Sequence, residues 1–579
     1  MVWSLVLALG LIWSLQHAWV SDDIFITFRY CDNVLAGHGP VYNVGERSEG
    51  YTHFLWFCLL TLGRAVGVEP GLLGKYLSIP AFVATWILLV SLSARLFPGR
   101  GGIWGAPVAA LAWAAHEDVR LFASGGLETA AFLFAMLLGF TIVCTSSHPR
   151  KSMLAAWAYA IATLLRPEGL LFSGLAGLFL FWRSRWSWRQ ALQFGLVWLA
   201  LVAPLFLFRL SYYGYPFPNP YYAKSGSLAN WPQGLVYMWT YFGSYFVLLA
   251  AVLALFPLLR TALRRGAGGA LAAAAPAMGL AFVCASASVF YVTRVGGDFM
   301  FARFYLPATP FLLLLCEYLV QHLPRPGWRV GGAVFVVGLV LFGGVRKQWL
   351  FSDKRHVRGI VDEPQYYPDR RLDDIRGMAD GIDRCLGDTG AVLLVQGGQA
   401  SLAYYAKFPV AVERYGLTDA HIAHSPAPPI RGRPGHEKLA DAQYIYDRRV
   451  NLRIHYRPVR SLSQYVQIGL PWKNGIVFGE IIVYDRELME ALKLCPGARF
   501  LDFPRWLERD YLPNIDRRLP IQMARDYDDF KRFYFKWNPD PEGLQEKLEN
   551  ELARRGVEPL PEQALRPDYF QDTGRPTGD

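Results

Sequence analysis

Two adjacent carboxylates, Asp22 and Asp23, directly follow the first apolar stretch of the chain, residues 1–20. A charged pair at the end of a membrane helix is costly unless it faces water or a cation, so the pair marks a candidate functional site. One carboxylate can act as a general base towards a hydroxyl group, while its neighbour orients it or binds a cation. The alternative is that one of the two caps the helix beginning at Ile24, which leaves the other unexplained.

Other charged and aromatic residues also stand near the ends of apolar stretches. Arginine and lysine bind phosphate groups through charge-assisted hydrogen bonds. The phosphate-binding candidates are Arg166, Lys224, Arg294 and Arg303. Carboxylates, tyrosine rings and histidine can contact a sugar or an acceptor. The candidates for such contacts are Glu49, Tyr51, Glu128, Glu168, Tyr221, Tyr222, Asp298, His436 and Glu437.

Structural roles compete with ligand binding at several of these positions. Arg166 can form an internal ion pair with Glu168 or Glu128, and Asp298 can cap a helix. The tyrosines can form a belt at the membrane interface. His436 can make an ordinary hydrogen bond within the fold, and the same holds for the glutamate that follows it.

The composition indicates an integral membrane protein. The chain has 579 residues, of which 53% are hydrophobic and 15% aromatic, and its mean hydropathy is +0.20. It is too apolar for an ordinary soluble enzyme and long enough for two domains. The first stretch has neither a basic start nor a small-residue cleavage site before Asp22, which favours a retained helix over a cleaved signal peptide.

The seven cysteines form no CxxC motif and no Cys/His cluster, which argues against a structural zinc site. Cys385 and Cys495 can pair if their domain lies outside the cytoplasm. The net charge of +11 does not indicate a nucleic-acid partner, because the placement of lysine and arginine follows membrane topology.

Eleven apolar stretches have spanning or near-spanning length. They lie near residues 3–20, 76–94, 103–116, 127–145, 153–165, 169–182, 191–210, 238–259, 271–292, 305–321 and 329–345. A twelfth, residues 54–66, is short and carries Arg64, so we interpret it as an interfacial helix.

With this choice, the basic loops all lie on one side, the cytoplasmic side by the positive-inside rule. These loops hold Arg95, Arg100, Arg150, Lys151, Arg183, Arg185, Arg189, Arg260, Arg264, Arg265, Arg325 and Arg329, without an acidic residue among them. If residues 54–66 spanned the membrane, every later basic loop would face outward. The candidate residues above then converge on the extracytoplasmic face, which favours a single active site built from several loops.

The sequence predicts two domains, a transmembrane domain over residues 1–345 and a soluble domain over residues 346–579. In the second, residues 390–405 read as a buried strand, a glycine turn and a helix start, and residues 475–485 as a strand pair, which predicts an α/β fold. A short charged helix from residue 541 and a disordered tail follow.

Seven motifs occur in an order typical of one family. They are the first loop from DDIFITFRY to THFLW, SGGLETAAF, RPEG, YYGYPFPNPYYAK, GGDFMFARF, RYGLTD and GHEK. In these motifs the chain resembles bacterial GT-C membrane glycosyltransferases related to the mycobacterial terminal β-(1→2) arabinofuranosyltransferase. The resemblance runs through about residue 440. The chain departs from the family pattern at His53, where Asn is more frequent, and at Pro220, where Thr is commoner.

The resemblance implies a GT-C-like fold of about eleven transmembrane helices, an interfacial helix and a C-terminal soluble α/β domain. It implies an inverting transferase that moves a sugar, an arabinofuranose or another pentose or hexose, from a polyprenyl-phosphate donor to a cell-envelope glycan acceptor. Asp22 or Asp23 would be the general base, and outer arginines and lysines would bind the lipid phosphate. The protein would lie in the bacterial inner membrane, with the active site and the soluble domain in the periplasm.

Three points stay open at this level. The sequence assigns no cofactor, and Mg²⁺ or Mn²⁺ at the acidic pair stays open, because hard oxygen ligands suit these ions. A transporter or flippase of lipid-linked sugars is a second function, since charged residues in membranes can mark a pathway. A non-catalytic glycan-binding assembly protein is a third, because aromatic outer loops would suit it equally well.

Overall fold

A computed structural model describes residues 2–98, 107–224, 229–263, 269–426 and 434–560. The tail expected to be disordered lies outside these ranges after residue 560, as do Arg100, Arg264 and Arg265 of the basic loops. The chain divides into two compact units. The first consists of Met1–Pro40, Glu49–Asp369 and Ala427–Glu437, and the second of Val41–Ser48, Arg370–Pro426 and Lys438–Asp579.

The first unit is helical. Its helices are α1 (Val2–Gln16), α2 (Ile24–Leu35), α3 (Phe54–Ala65), α4 (Pro70–Leu96), α5 (Val108–Ala115), α6 (Glu117–Ser124), α7 (Thr129–Thr145), α8 (Lys151–Leu165), α9 (Gly169–Arg183), α10 (Trp188–Tyr212), α11 (Asn219–Ala223), α12 (Trp231–Tyr245), α13 (Val247–Leu263), α14 (Ala270–Val295), α15 (Thr309–Gln321) and α16 (Pro326–Leu350).

Several of these helices are long and apolar enough to cross a membrane. Among the described residues they are α4, α10, α14 and α16, and the number rises to six if the bent pairs α6–α7 and α12–α13 each form one span. The predicted multi-pass helical architecture is confirmed at this level. The apolar stretch predicted over residues 238–259 contains a break, because Phe246 has the left-handed φ of 57°, which a right-handed helix cannot continue through. The helices on either side meet at 91°.

Two glycine pairs set the backbone around the loops that carry the candidate residues. Gly126 has a φ of 82°, and a Cβ on Gly74 of α4 would lie 2.5 Å from its Cα, so α4 packs directly on the break before α7. Gly296 and Gly297 end α14 with φ values of 101° and 76°. A Cβ on Gly297 would lie 2.3 Å from the ring of Tyr237, so only glycine fits at this close approach.

The second unit combines a small sheet with helices. Its elements are α17 (Asp369–Leu386), β1 (Val392–Val395), α18 (Ala400–Tyr405), β2 (Val410–Glu413), α19 (Ala420–His424), α20 (Ala442–Asp447), β3 (Leu452–His455), β4 (Gln467–Trp472), β5 (Gly475–Ile481), α21 (Arg486–Leu494), α22 (Phe503–Trp506), α23 (Pro520–Phe530) and α24 (Leu544–Arg554). The strand order is β2-β1-β3-β5-β4, with β1 parallel to β2 and β3, and β5 antiparallel to β3 and β4.

The expected strand, glycine turn and helix start appear as β1 and α18, and the short charged helix as α24. The strand pair expected over residues 475–485 is wrong. This segment supplies one strand, β5, whose hairpin partner is the preceding strand β4, because the turn falls at Lys473 and Asn474. A disulfide joins Cys385 and Cys495 within this unit.

Candidate active site

The two adjacent carboxylates of the first loop, Asp22 and Asp23, differ in their exposure to solvent. Asp23 occupies the N-cap position of α2, but its side chain accepts no capping hydrogen bond, so helix capping does not explain this carboxylate. Asp22 is only 4% exposed, whereas 35% of the Asp23 side chain is exposed. The amide of Ser21 donates a hydrogen bond of 3.1 Å to the carbonyl of Gly125, which ties this loop to the break between α6 and α7.

The turn after α14 carries Asp298 and Arg303. The hydroxyl of Tyr237 donates to the carbonyl of Met300 at 2.9 Å and holds this turn. Asp298 does not cap a helix, because α15 begins only at Thr309. Its Oδ1 accepts a hydrogen bond of 2.9 Å from the amide of Phe299, and its buried Oδ2 has no hydrogen-bond partner among the described residues.

Glu128 is the centre of a buried ionic cluster. Its carboxylate lies 3.4 Å from Nδ1 of His53, 3.2 Å from Nη1 of Arg166 and 3.5 Å from Nη2 of Arg303. Arg166 also pairs with Glu168 at 2.5 Å. The internal ion pair considered as an alternative for Arg166 is therefore present, and two carboxylates balance its charge. Burial lowers the pKa of His53 to about 4, so the ring is neutral near pH 7.

Arg303 connects this cluster to the first loop. Its Nη1 lies 3.9 Å from Oδ2 of Asp23. Loss of hydration by burial raises the pKa of Asp23 to about 6. The positive charges of Arg303 and Lys224 act in the opposite direction. A carboxylate with a pKa near this value is deprotonated at neutral pH and still basic enough to take a proton in a reaction.

A cavity of about 180 Å³ lies beside Arg303. Its charged lining residues are Glu128, Arg166, Glu168, Lys224, Arg303 and Glu437. The Lys224 ammonium lies 5.8 Å from the centre of the Phe304 ring, and within the described part of the chain no carboxylate forms an ion pair with it. Lys224 is thus the cation of this cavity that is best placed to take an external anion.

A more apolar groove of about 330 Å³ adjoins the cavity. Glu168 and Tyr221 line both spaces, together with Pro167. Side chains of α9 and α10 form much of the remaining wall, among them Leu170, Leu171, Val202, Leu205 and Phe206. A charged head group and an apolar chain attached to it therefore find complementary surfaces next to each other.

Several predicted residues lie outside the cavity lining. Glu49 forms a bidentate ion pair with the buried Arg209 of α10, at 2.8 and 2.9 Å. The Tyr51 hydroxyl lies 3.1 Å from that of Tyr213, and its ring is buried. Both residues therefore fix the first loop onto α10.

Three further predictions concern residues near this site. Arg294 lies in the last turn of α14 and does not line the cavity. Tyr222 packs its ring against Tyr221, which does. His436 packs edge-on against Phe299, beside Asp298, while its neighbour Glu437 reaches the cavity.

Sequence reasoning missed three residues of this region. They are His53 as a partner of Glu128, Arg209 as the partner of Glu49, and Glu363, whose Oε1 accepts a hydrogen bond of 3.2 Å from the Ser21 hydroxyl. The Asp362–Glu363 pair repeats the pattern of two adjacent acids shortly after an apolar helix, and this repetition was the available signal.

The described acidic residues form no recognisable three-ligand metal site. Throughout the described ranges, no three His, Cys, Asp or Glu side chains come close enough to share one ion. Arg303 also places a positive charge against Asp23, where a cation would have to sit.

No protein-family model matches the chain. The chain is 28% identical over 390 residues to the terminal β-(1→2)-arabinofuranosyltransferase of Corynebacterium glutamicum, which covers 61% of this chain and 55% of that protein. It is 33% identical over 398 residues to the protein of the same name from Mycobacterium tuberculosis, covering 61% and 63%. The chain thus matches less than two thirds of the length of either relative.

The fold has a counterpart among solved structures. The crystal structure of ArnT from Cupriavidus metallidurans bound to undecaprenyl phosphate matches with a TM-score of 0.53 and 14% identity, covering 83% of this chain and 97% of that one. The likeness expected from the motifs is therefore confirmed: the chain is similar in sequence to terminal β-(1→2)-arabinofuranosyltransferases, and its fold resembles that of ArnT.

Proposed function

We propose that this protein is an inverting glycosyltransferase that moves a sugar from a polyprenyl-phosphate donor to a cell-envelope glycan. Its curated relatives are named arabinofuranosyltransferases, so arabinofuranose is the first sugar to test, ahead of another pentose or a hexose. The observation that carries the proposal is the position of Arg303, which lines the charged cavity and contacts the partly exposed carboxylate of Asp23.

The donor would bind across the cavity and the adjoining groove. Lys224 would hold the phosphate together with Arg303, whose charge is shared with Glu128. The apolar groove between α9 and α10 would take the first units of the lipid chain. The related fold of ArnT was solved with undecaprenyl phosphate, which supports a lipid of this class. Arg166, already paired with two carboxylates, would organise the cavity wall.

The reaction requires one base and no covalent enzyme intermediate. Asp23 would take the proton of the acceptor hydroxyl as that oxygen bonds to the anomeric carbon. The bond from that carbon to the phosphate oxygen breaks, and its electron pair leaves on the polyprenyl phosphate. Asp23 suits this role better than Asp22, because it is partly exposed and its pKa of about 6 leaves it ionised near neutral pH. Glu168, Tyr221 and Glu437 line the cavity where sugar hydroxyls would lie.

We further propose the membrane arrangement that the charges favour. It has eleven spans, with α3 at the interface, and the candidate site on the periplasmic side of the bacterial inner membrane. The disulfide between Cys385 and Cys495 supports a position of the second unit outside the cytoplasm, where disulfides form and persist. The soluble domain predicted over residues 346–579 would then help to hold the acceptor glycan.

The test is transfer by the purified full-length protein in lipid nanodiscs. A panel of polyprenyl-phosphate sugars is offered with an acceptor oligosaccharide, and the products are analysed by mass spectrometry and NMR. We expect extension of the acceptor with an anomeric configuration opposite to that of the donor. Retained configuration would contradict the direct displacement. Acceptor binding without transfer across the panel would favour a glycan-binding protein, and labelled lipid crossing between leaflets would favour a flippase.

A further inference from the structure

A segment that follows α16, residues 355–368, returns to the candidate site; we name it the return segment. The amide of Phe301 donates to the carbonyl of Val361 at 2.9 Å, and the amide of Val361 donates to the carbonyl of Phe299 at 2.8 Å. The amide of Val20 donates to the carbonyl of Tyr367 at 3.2 Å. The return segment is therefore bound through its backbone to both loops that carry Asp23 and Arg303.

A buried lysine fixes the middle of this segment. Nζ of Lys347, on α16, lies 2.9 Å from Oδ1 of Asp362 and 2.9 Å from Oδ1 of Asp118 on α6. Glu117 also reaches this lysine, at 3.3 Å. The next residue, Glu363, begins a short 3-10 helix, and its carboxyl group accepts a hydrogen bond from Ser21, which directly precedes the acidic pair.

The carboxyl group of Glu363 is buried and has no ion-pair partner among the described residues. The residue is 4% exposed, its Oε1 accepts the hydrogen bond from Ser21, and its Oε2 has no hydrogen-bond partner among the described residues. Within the same described ranges, no lysine, arginine or histidine forms an ion pair with it. An ionised carboxylate in such a place is strongly disfavoured, so the group keeps its proton.

The surrounding charges act in the same direction. The charged groups that face Glu363 are Asp22 and Asp23 from the first loop, and Asp298 and Arg303 from the turn after α14. Burial has the largest effect and raises the pKa of Glu363 well above its usual value; Asp23 and the other carboxylates add to this, while Arg303 opposes it.

We propose that Glu363 is a second carboxyl group of the active site, which stays protonated while Asp23 is ionised. The proposal rests on the proposed function and deepens it. Asp23 then carries the negative charge that takes the acceptor's proton, and the protonated Glu363 adds no second negative charge near it. The proton of Glu363 is not consumed in the reaction. When Glu363 loses it at higher pH, a second negative charge beside Asp23 opposes the charge that develops on the leaving phosphate.

This predicts a bell-shaped pH profile for transfer. Activity rises as Asp23 ionises at about pH 6 and falls at a higher pH as Glu363 ionises. Glu363→Gln imitates the protonated acid, so its transfer rate at neutral pH should stay within about tenfold of wild type. Its transfer rate should no longer fall at high pH. Loss of a general base, by comparison, typically costs about 10²-fold or more. Asp353 is an exposed acid after α16, and Asp353→Asn is the matched control, which should keep the bell-shaped pH profile of wild type. Loss of neutral-pH activity in Glu363→Gln to the level of a base-free variant would overturn the proposal.

A second readout does not depend on transfer. The infrared spectrum of the full-length wild-type protein at neutral pH should contain the band of a protonated carboxyl group. This band should be missing from the spectrum of Glu363→Gln and present in that of Asp353→Asn. If Glu363→Gln does not fold, Glu363→Asp should shift the band instead. A spectrum without such a band would contradict a protonated Glu363. If the wild type transfers no sugar, the proposed function fails, while the infrared result still decides whether Glu363 holds a proton.

Discussion

Nη1 of Arg303 lies 3.9 Å from Oδ2 of Asp23. The same guanidinium reaches Glu128 with its Nη2 at 3.5 Å and lines the charged cavity. One side chain thus connects the candidate base to the candidate donor site, and its positive charge limits how far burial raises the pKa of Asp23.

Removing this charge should move the acid limb of the pH profile. Arg303 lowers the pKa of Asp23, so Arg303→Gln should raise it, and transfer should then begin at a higher pH. We expect a shift of about 1 pH unit from the wild-type limb, because a nearby opposite charge changes a carboxyl pKa by about 1–3 units. The measurement is kcat/KM against pH, with Arg303→Lys as the charge-conserving control. An acid limb that stays near pH 6 in Arg303→Gln would show that this charge does not act on the base.

Lys224 should contribute mainly to donor binding. Lys224→Ala should raise the KM for the polyprenyl-phosphate sugar by about tenfold to a hundredfold, since a hydrogen bond to a charged group contributes about 1.5–3 kcal/mol. The KM for the acceptor should change little. Lys151→Ala, at the start of α8 on the opposite face of the predicted topology, is the control. An unchanged donor KM in Lys224→Ala would remove this residue from the phosphate site.

The pair formed by Glu49 and Arg209 should matter for stability. Their side chains are 2% and 5% exposed, so Glu49→Gln leaves the arginine buried without a countercharge. We expect a loss of about 3–5 kcal/mol in the free energy of unfolding. Thermal unfolding in detergent measures the effect, and the double variant Glu49→Gln with Arg209→Met should regain part of the loss. Single and double variants of equal stability would mean that the pair is unimportant.

The sequence predicted the parts of the site that local pattern determines. Asp23 and Arg303 are recognisable because charged residues at the ends of apolar helices are costly. Lys224 stands out as a cation in a tract rich in tyrosine and proline, and the two glycines before Asp298 indicate a close backbone approach. The internal pairing of Arg166 was also foreseen as an alternative, since Glu168 stands two residues away.

The parts that were missed depend on contacts between distant segments. Glu363 meets Ser21 across 342 residues, and its burial comes from the packing of the return segment, which no local pattern contains. The break at Phe246 has neither glycine nor proline directly beside it, so the local sequence gives no sign of it. Arg209 is recognisable as a buried partner of Glu49 only after α10 and the first loop are placed together.

The most direct test of the central claim compares Asp23→Asn with its neighbour Asp22→Asn in single-turnover sugar transfer at neutral pH. If Asp23 is the general base, its amide variant should lose transfer by about 10²- to 10⁴-fold while still binding the donor. Asp22→Asn should retain markedly more activity. Transfer by Asp23→Asn at the wild-type rate, or a larger loss in Asp22→Asn, would contradict the assignment of the base.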